Sequence, residues 1–202
     1  MPRIPLPSPE EMNPAQRLVL DKIISGPRGT LIGPLRAAIH NPELAGRWSA
    51  LGEILRFRTS LPKRLSELAI LVTGRRWTSQ VEWWVHARAA ADAGLDAAII
   101  AAIREGAAPV FADDKEALVY RFACALQQSG QVPREIYDDA VGHFGVVGVV
   151  ELTALIGYYT MVSMTLNAHE IPLPEGVAAP LEAPRQGGLH VLLDIKEKSE
   201  GR

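Results

Sequence analysis

The chain is predicted to be all-α, and three observations lead there. Helix-start signals recur along it, as Asn13-Pro14 and Asn41-Pro42 and as the single prolines Pro62 and Pro133. Apolar residues between those signals return at helical spacing and are cut off by Gly74, Gly94, Gly106 and Gly130. Alternation of apolar and polar residues, the mark of a half-buried strand, is missing except in the last stretch. About eight helices with proline-rich arms at both ends follow from these.

Residues 1–12 are expected to form an extended arm, because closely spaced prolines block both helix and sheet pairing. A first helix then runs from Asn13 to about residue 25, and the glycine- and proline-rich residues 26–34 form a loop. A short helix covers residues 35–40. In the next helix Leu44, Trp48, Leu51 and Leu55 mark one buried face. Pro62 opens a helix whose core stripe is Leu65, Leu68, Ala69 and Val72, with Gly74 as its stop. A central helix covers residues 79–93. Asp96 caps a short alanine-rich helix, and Asp113 or Asp114 starts another with Val119, Phe122, Ala123 and Leu126 inward. Pro133 begins a helix with Tyr137, Ala140, Val141 and Phe144 on one face, and a long apolar helix over residues 148–168 completes the set. Residues 189–202 are expected to form one short strand or an arm that grips a neighbouring copy. The organisation predicted is an arm and first helix (1–34), a helical domain (35–170) and a C-terminal arm (171–202).

The 202 residues are 48% hydrophobic and 22% charged, with a formal net charge of −2, an ordinary globular balance. No basic run or stripe is present, so no nucleic-acid partner is expected. The one cysteine, Cys124, excludes an intramolecular disulfide and fits a reducing compartment. The N-terminal residues lack the apolar core of a signal peptide. Residues 144–168 are long enough to cross a bilayer, yet they carry Glu151, Asn167 and several hydroxyls. They are read as a buried helix of a bundle or oligomer core, and the protein as soluble, cytoplasmic and without a membrane partner. Glycine-rich words occur only in loops lacking a strand–turn–helix context, so no nucleotide, flavin or other cofactor is expected.

Chemistry gathers in residues 61–94. Glu82 and His86 are four apart on one helix and share a face, which Ser79 joins two turns before His86. Glu67 lies on the preceding helix and meets them if the turn around residues 75–78 is short. A carboxylate that fixes an imidazole's tautomer and raises its pKa is a general acid/base arrangement, which makes His86, Glu82 and Glu67 the candidate catalytic residues. Ser79, Trp83, Arg75 and Arg76 are candidate substrate-binding residues: Trp83 or Trp84 as a pocket wall, the arginines as carboxylate binders. Plainer readings stand beside these. Ser79-x-x-Glu82 also spells a capping box, and Glu67 is spaced to pair with Lys63 or Arg64 on the surface. No metal site is expected, for want of a further His or Cys cluster.

The words LPKRLSELAIL (61–71), EWWVH (82–86) with ARAAADAGL after it, and ELTALIGYY (151–159) resemble the carboxymuconolactone decarboxylase family, which also contains the alkylhydroperoxidase D-type (AhpD-like) proteins. The likeness spans roughly residues 35–170. It implies an AhpD-like helical bundle and assembly into trimers or hexamers. In the peroxidase branch a Cys-x-x-Cys pair falls on positions held here by Ser79 and Glu82, so the resemblance speaks against thiol peroxidase activity. The decarboxylase branch has Glu-x-x-x-His there, matched by Glu82 and His86. That likeness implies cofactor-free decarboxylation, or a related proton transfer, on a small carboxylated lactone or enol resembling 4-carboxymuconolactone. A non-catalytic oligomeric scaffold of the same fold is the alternative.

Overall fold

The computed structural model describes residues 1–27, 29–184 and 187–195. Among them are eight α-helices and no strand: α1 (Pro14–Ser25), α2 (Leu35–Ala38), α3 (Pro42–Phe57), α4 (Lys63–Arg76), α5 (Gln80–Asp92), α6 (Ala97–Glu105), α7 (Asp114–Ser129) and α8 (Arg134–Ala168). Local chemistry sets most of their ends. The Asn13 and Asn41 side chains accept from the backbone N–H of Gln16 and Leu44, and Asp96 and Asp113 cap α6 and α7 in the same manner. Gly106 and Gly130 close α6 and α7 in the left-handed conformation.

Helix α4 is the axis of the bundle. Every residue from Leu65 to Arg75 is buried, because α5, α6, α7 and α8 all pack around it. Four polar side chains on such a helix, Ser66, Glu67, Thr73 and Arg75, must find partners inside the protein. Thr73 bonds back to the Ala69 carbonyl at 2.9 Å. Glu67 belongs to the site described below. One apolar cluster runs from Met12 in the N-terminal arm to Leu192 in the C-terminal arm, so both arms share the core of the helices.

Four expectations are corrected. Gly74 does not stop α4: it stays helical, and its missing side chain lets Glu82 of α5 approach, with Glu82 Cγ 3.7 Å from where a Cβ would stand. The turn is made instead by Thr78, at φ 47°, a strained value for a β-branched residue. On α3 the buried face is Ala45, Trp48, Gly52 and Leu55, whereas Leu44 and Leu51 lie outside with Ile54 and Phe57. The residues 134–168 form one run broken only at Gly145, whose φ of 68° and ψ of 172° leave the helix. Gly148 is helical and serves close packing under Phe144. Lastly, residues 189–195 form no strand. Leu192 is buried against the same chain, the Arg76 carbonyl accepts from the His190 N–H at 2.9 Å, and Tyr120 donates to the Leu193 carbonyl at 2.8 Å. The last seven residues of that expected arm lie outside the described residues.

Helix α8 is the one described helix long and apolar enough to cross a membrane, and a third of its most apolar window is buried within the chain. Leu152, Leu155, Ile156 and Tyr159 face the core, while Val146, Val147, Val150 and Met164 face outward.

Candidate active site

The α4–α5 hairpin brings two carboxylates onto one imidazole. Ser79 N–H donates to the Gly74 carbonyl at 2.8 Å and tightens the turn, so that α5 runs back along α4. Glu67 then faces His86 across the hairpin, with Nδ1 of the ring 2.6 Å from Oε2 of the carboxylate. Glu82, one turn earlier on α5, lies 2.9 Å from Nε2 on the other side of the ring. That second contact is an ion pair lacking the straight geometry of a good hydrogen bond. Lys63, one turn before Glu67 on α4, completes the row with Nζ 2.5 Å from Glu67 Oε1. Lysine, glutamate, histidine and glutamate therefore stand in line from the half-exposed Lys63 into the interior.

Beyond Lys63 the row is dry: Glu67 is fully buried, and only 3% of His86 and 4% of Glu82 are exposed. Burial by itself disfavours the imidazolium, but the Glu82 charge and the bonds to both carboxylates outweigh it and raise the His86 pKa above its ordinary value. Burial likewise opposes the Glu67 anion, and its bonds to His86 and Lys63 reverse the sign, so its pKa lies below the usual carboxylate value. Both shifts favour the carboxylate–imidazolium form of the pair. The proton lies between groups whose preferences have been pushed apart, as in sites that move protons.

His86 and Glu82 open onto a cleft of about 390 Å³ of unfilled space, counting its mouth. Val81, Val85 and Val162 form its apolar wall, and the loop at residues 32–34 covers one side. The remaining polar lining is Arg56, from the last turn of α3, with Tyr158 and Tyr159 of α8; the Tyr159 ring meets His86 edge-on with centroids 5.0 Å apart. Sequence reasoning places none of the three in the site. Tyr159 is visible there only as a polar tip on an apolar helix, and Arg56 carries no local signal.

The other candidates lie elsewhere. Ser79 is fully buried with an unpartnered hydroxyl, and it makes no cap hydrogen bond, so the capping box is not formed. Its intended partner, the Glu82 carboxylate, is turned to His86 instead. Trp83 is buried outside the cleft lining, and Trp84 is 42% exposed. Arg75 donates to the Glu182 carbonyl at 3.0 Å and Arg76 to the His190 carbonyl at 2.7 Å, so both arginines hold the C-terminal arm away from the cleft. Glu67 is an interior group, where a surface pair with Lys63 or Arg64 was one reading; Arg64 pairs with Asp113 and Glu116. Among the described residues no group of three or more His, Cys, Asp or Glu side chains is arranged to hold a metal.

An all-helical bundle with this hairpin at its centre has solved counterparts. An alkylhydroperoxidase AhpD core structure, an uncharacterised peroxidase-related protein from Ralstonia eutropha JMP134, superposes with a TM-score of 0.69 over 86% of this chain and 93% of that one. The fold is AhpD-like. Sequence identity in that pair is 12%. A second uncharacterised peroxidase-related protein, from Silicibacter sp. TM1040, gives a TM-score of 0.66 at 15% identity, covering 85% and 91% of the two chains. The debrominase Bmp8, solved as a cysteine-to-alanine variant in complex with 2,3,4-tribromopyrrole, gives 0.63 at 17% identity, covering 83% and 88%. No family model and no curated protein matches the chain.

Proposed function

We propose that this protein is a cofactor-free lyase that decarboxylates a small carboxylated lactone or enol resembling 4-carboxymuconolactone. The observation that carries the reading is a buried imidazole clamped between two carboxylates at the edge of a small apolar cleft. In the proposed step the substrate C–CO₂ bond breaks and its electron pair passes into the conjugated system as a dienolate. His86 gives up its Nε2 proton through Glu82, which lines the cleft, and that proton forms the new C–H bond. Glu67, itself paired with Lys63, holds the ring by its Nδ1 side and favours the imidazolium until the proton is called for. Exclusion of water strengthens each of these charges.

Two further observations support this chemistry over the peroxidase chemistry named for the solved neighbours. Cys124 is the one cysteine in the chain, and it is buried on α7. Burial pushes its thiol pKa up to about 12, so it is a poor source of the thiolate that attacks a peroxide. The debrominase of this fold also binds a small ring compound, as its structure with tribromopyrrole records.

The test is direct. Wild-type protein incubated with 4-carboxymuconolactone is expected to consume the lactone and release one CO₂ per molecule, with undiminished rate in Cys124→Ser. Absence of turnover would leave the non-catalytic scaffold as the better reading. We also propose a cytoplasmic homo-oligomer, a trimer or hexamer. Val146, Val147 and Val150 on α8, with Leu51, Ile54 and Phe57 on α3, are exposed apolar side chains that contact between copies would cover. Sedimentation equilibrium is expected to return three or six chains, and a clean monomer would overturn the assembly.

A further inference from the structure

We propose that Arg56 and Tyr159 form a carboxylate-binding subsite that decides which molecules the cleft accepts. This rests on the cleft being the substrate site argued above, and adds to it the chemistry by which substrate is chosen.

Of the five side chains with polar atoms that line the cleft, Glu82 and His86 are engaged with each other, and the Tyr158 ring packs edge-on against Tyr159 with centroids 5.3 Å apart. The polar atoms of Arg56 and Tyr159 are not engaged. The Nε of Arg56 is buried without a hydrogen-bond partner, and Arg56 makes no ion pair among the described residues. Its guanidinium lies 5.1 Å from the Phe57 ring, a stacking contact that occupies its face and leaves its N–H edge free. Tyr159 is 2% exposed and its hydroxyl has no partner. Buried donors left unpaired are rare in folded proteins, and such a group calls for an explanation. A ligand supplies one here.

Both orphan groups are donors. Burial holds the Tyr159 phenol well above its ordinary pKa, so its proton stays in place, and a guanidinium has no acceptor at all. What satisfies both is an oxygen acceptor bearing negative charge. A single planar fork, with no lysine beside it among the described lining residues, matches one carboxylate in preference to a phosphate. Val81, Val85 and Val162 add that the carboxylate is carried on a small apolar body. Arg56 also has an electrostatic task. Glu82 faces the same space, and an anion entering beside it needs a compensating cation.

The experiment is calorimetric titration of furan-2-carboxylate and its neutral match furan-2-carboxamide. Wild-type protein is expected to bind the carboxylate at least tenfold more tightly. Arg56→Met is expected to bind the two alike, and Arg56→Lys to restore part of the preference. Tyr159→Phe is expected to bind the carboxylate several-fold more weakly while melting no lower than wild type, since it removes an unpaired buried hydroxyl; a purely structural hydroxyl would lower the melting temperature instead. The inference is overturned if the amide binds as well as the carboxylate, if Arg56→Met keeps the preference, or if the carboxylate fails to bind at millimolar concentration. Release of CO₂ is a separate readout. Carboxylate preference without decarboxylation would sink the proposed reaction and spare the subsite, and decarboxylation without the preference would do the reverse.

Discussion

Glu67→Ala is expected to destabilise the protein by about 3 kcal/mol at mildly acidic pH, a fall in melting temperature of roughly 6–12 °C for a chain of this size. Breaking a buried ion pair by removing one partner ordinarily costs about 3–5 kcal/mol, because the survivor is left charged in a dry place. Here the low end applies. Lys63 is half-exposed and returns to water, and His86 still faces Glu82 and is able to shed its proton. The pH dependence separates this account from simple loss of packing. Glu67 has a lowered pKa in the fold, so its contribution is complete above the ordinary value of 4.5 and is lost as pH falls through the lowered one. His86 has a raised pKa, so its contribution is complete below 6.5 and is lost as pH rises through the raised one. The stability gap between wild type and Glu67→Ala is therefore expected to be widest between pH 4.5 and 6.5 and to narrow on both sides. Thermal melts across that range check it, and a gap that does not vary with pH would show that only packing had been lost.

The residues of this network were legible because the inference needed only helix geometry and a short turn. Glu82 and His86 share a face by spacing alone, and Glu67 meets them wherever α5 folds back on α4. Helix ends were legible for the same reason, since caps and left-handed glycines act within a few residues. What failed was whatever depended on distant partners. Leu44 and Leu51 looked like core because they are large, yet Ala45 and Gly52 face inward, where small residues let α3 lie close to its neighbours. Arg75 and Arg76 looked available because the turn that carries them is short and charged. Their acceptors are backbone carbonyls of an arm more than 100 residues away, which no local pattern announces. The arm itself has no periodicity to read, since its Pro- and Gly-rich chain docks through main-chain oxygens and a few anchors such as Leu181 and Leu192. Arg56 and Tyr159 share that difficulty. They come from helices roughly a hundred residues apart, and only the packing of α3 and α5 against α8 lets them face one space.

The largest kinetic effect is expected from His86→Asn, a loss of about 10²- to 10⁴-fold in kcat with KM little changed, as for removal of a general acid. Asparagine preserves a polar contact to Glu67, so the fold survives, but it has no proton to give at neutral pH. The wild-type profile should carry the signature of the same group. Because the two carboxylates hold the His86 pKa above 6.5 against the effect of burial, the acid form persists to higher pH than that of an ordinary imidazole, and the rate is expected to fall as pH rises through that raised value. Glu82→Gln tests the link between geometry and profile. It removes the charge that does most to offset burial of the ring, so the alkaline limb is expected to move to lower pH. The same substitution takes away the carboxylate through which the proton enters the cleft, so the plateau rate drops as well. Glu67→Gln also moves the limb to lower pH, and it leaves that exit route intact. A variant that shifts the limb while keeping the plateau, set against one that lowers both, distinguishes the carboxylate that orients the imidazole from the one that hands its proton on. Unchanged turnover in His86→Asn would remove the imidazole from the reaction and leave the buried row as a device of stability alone.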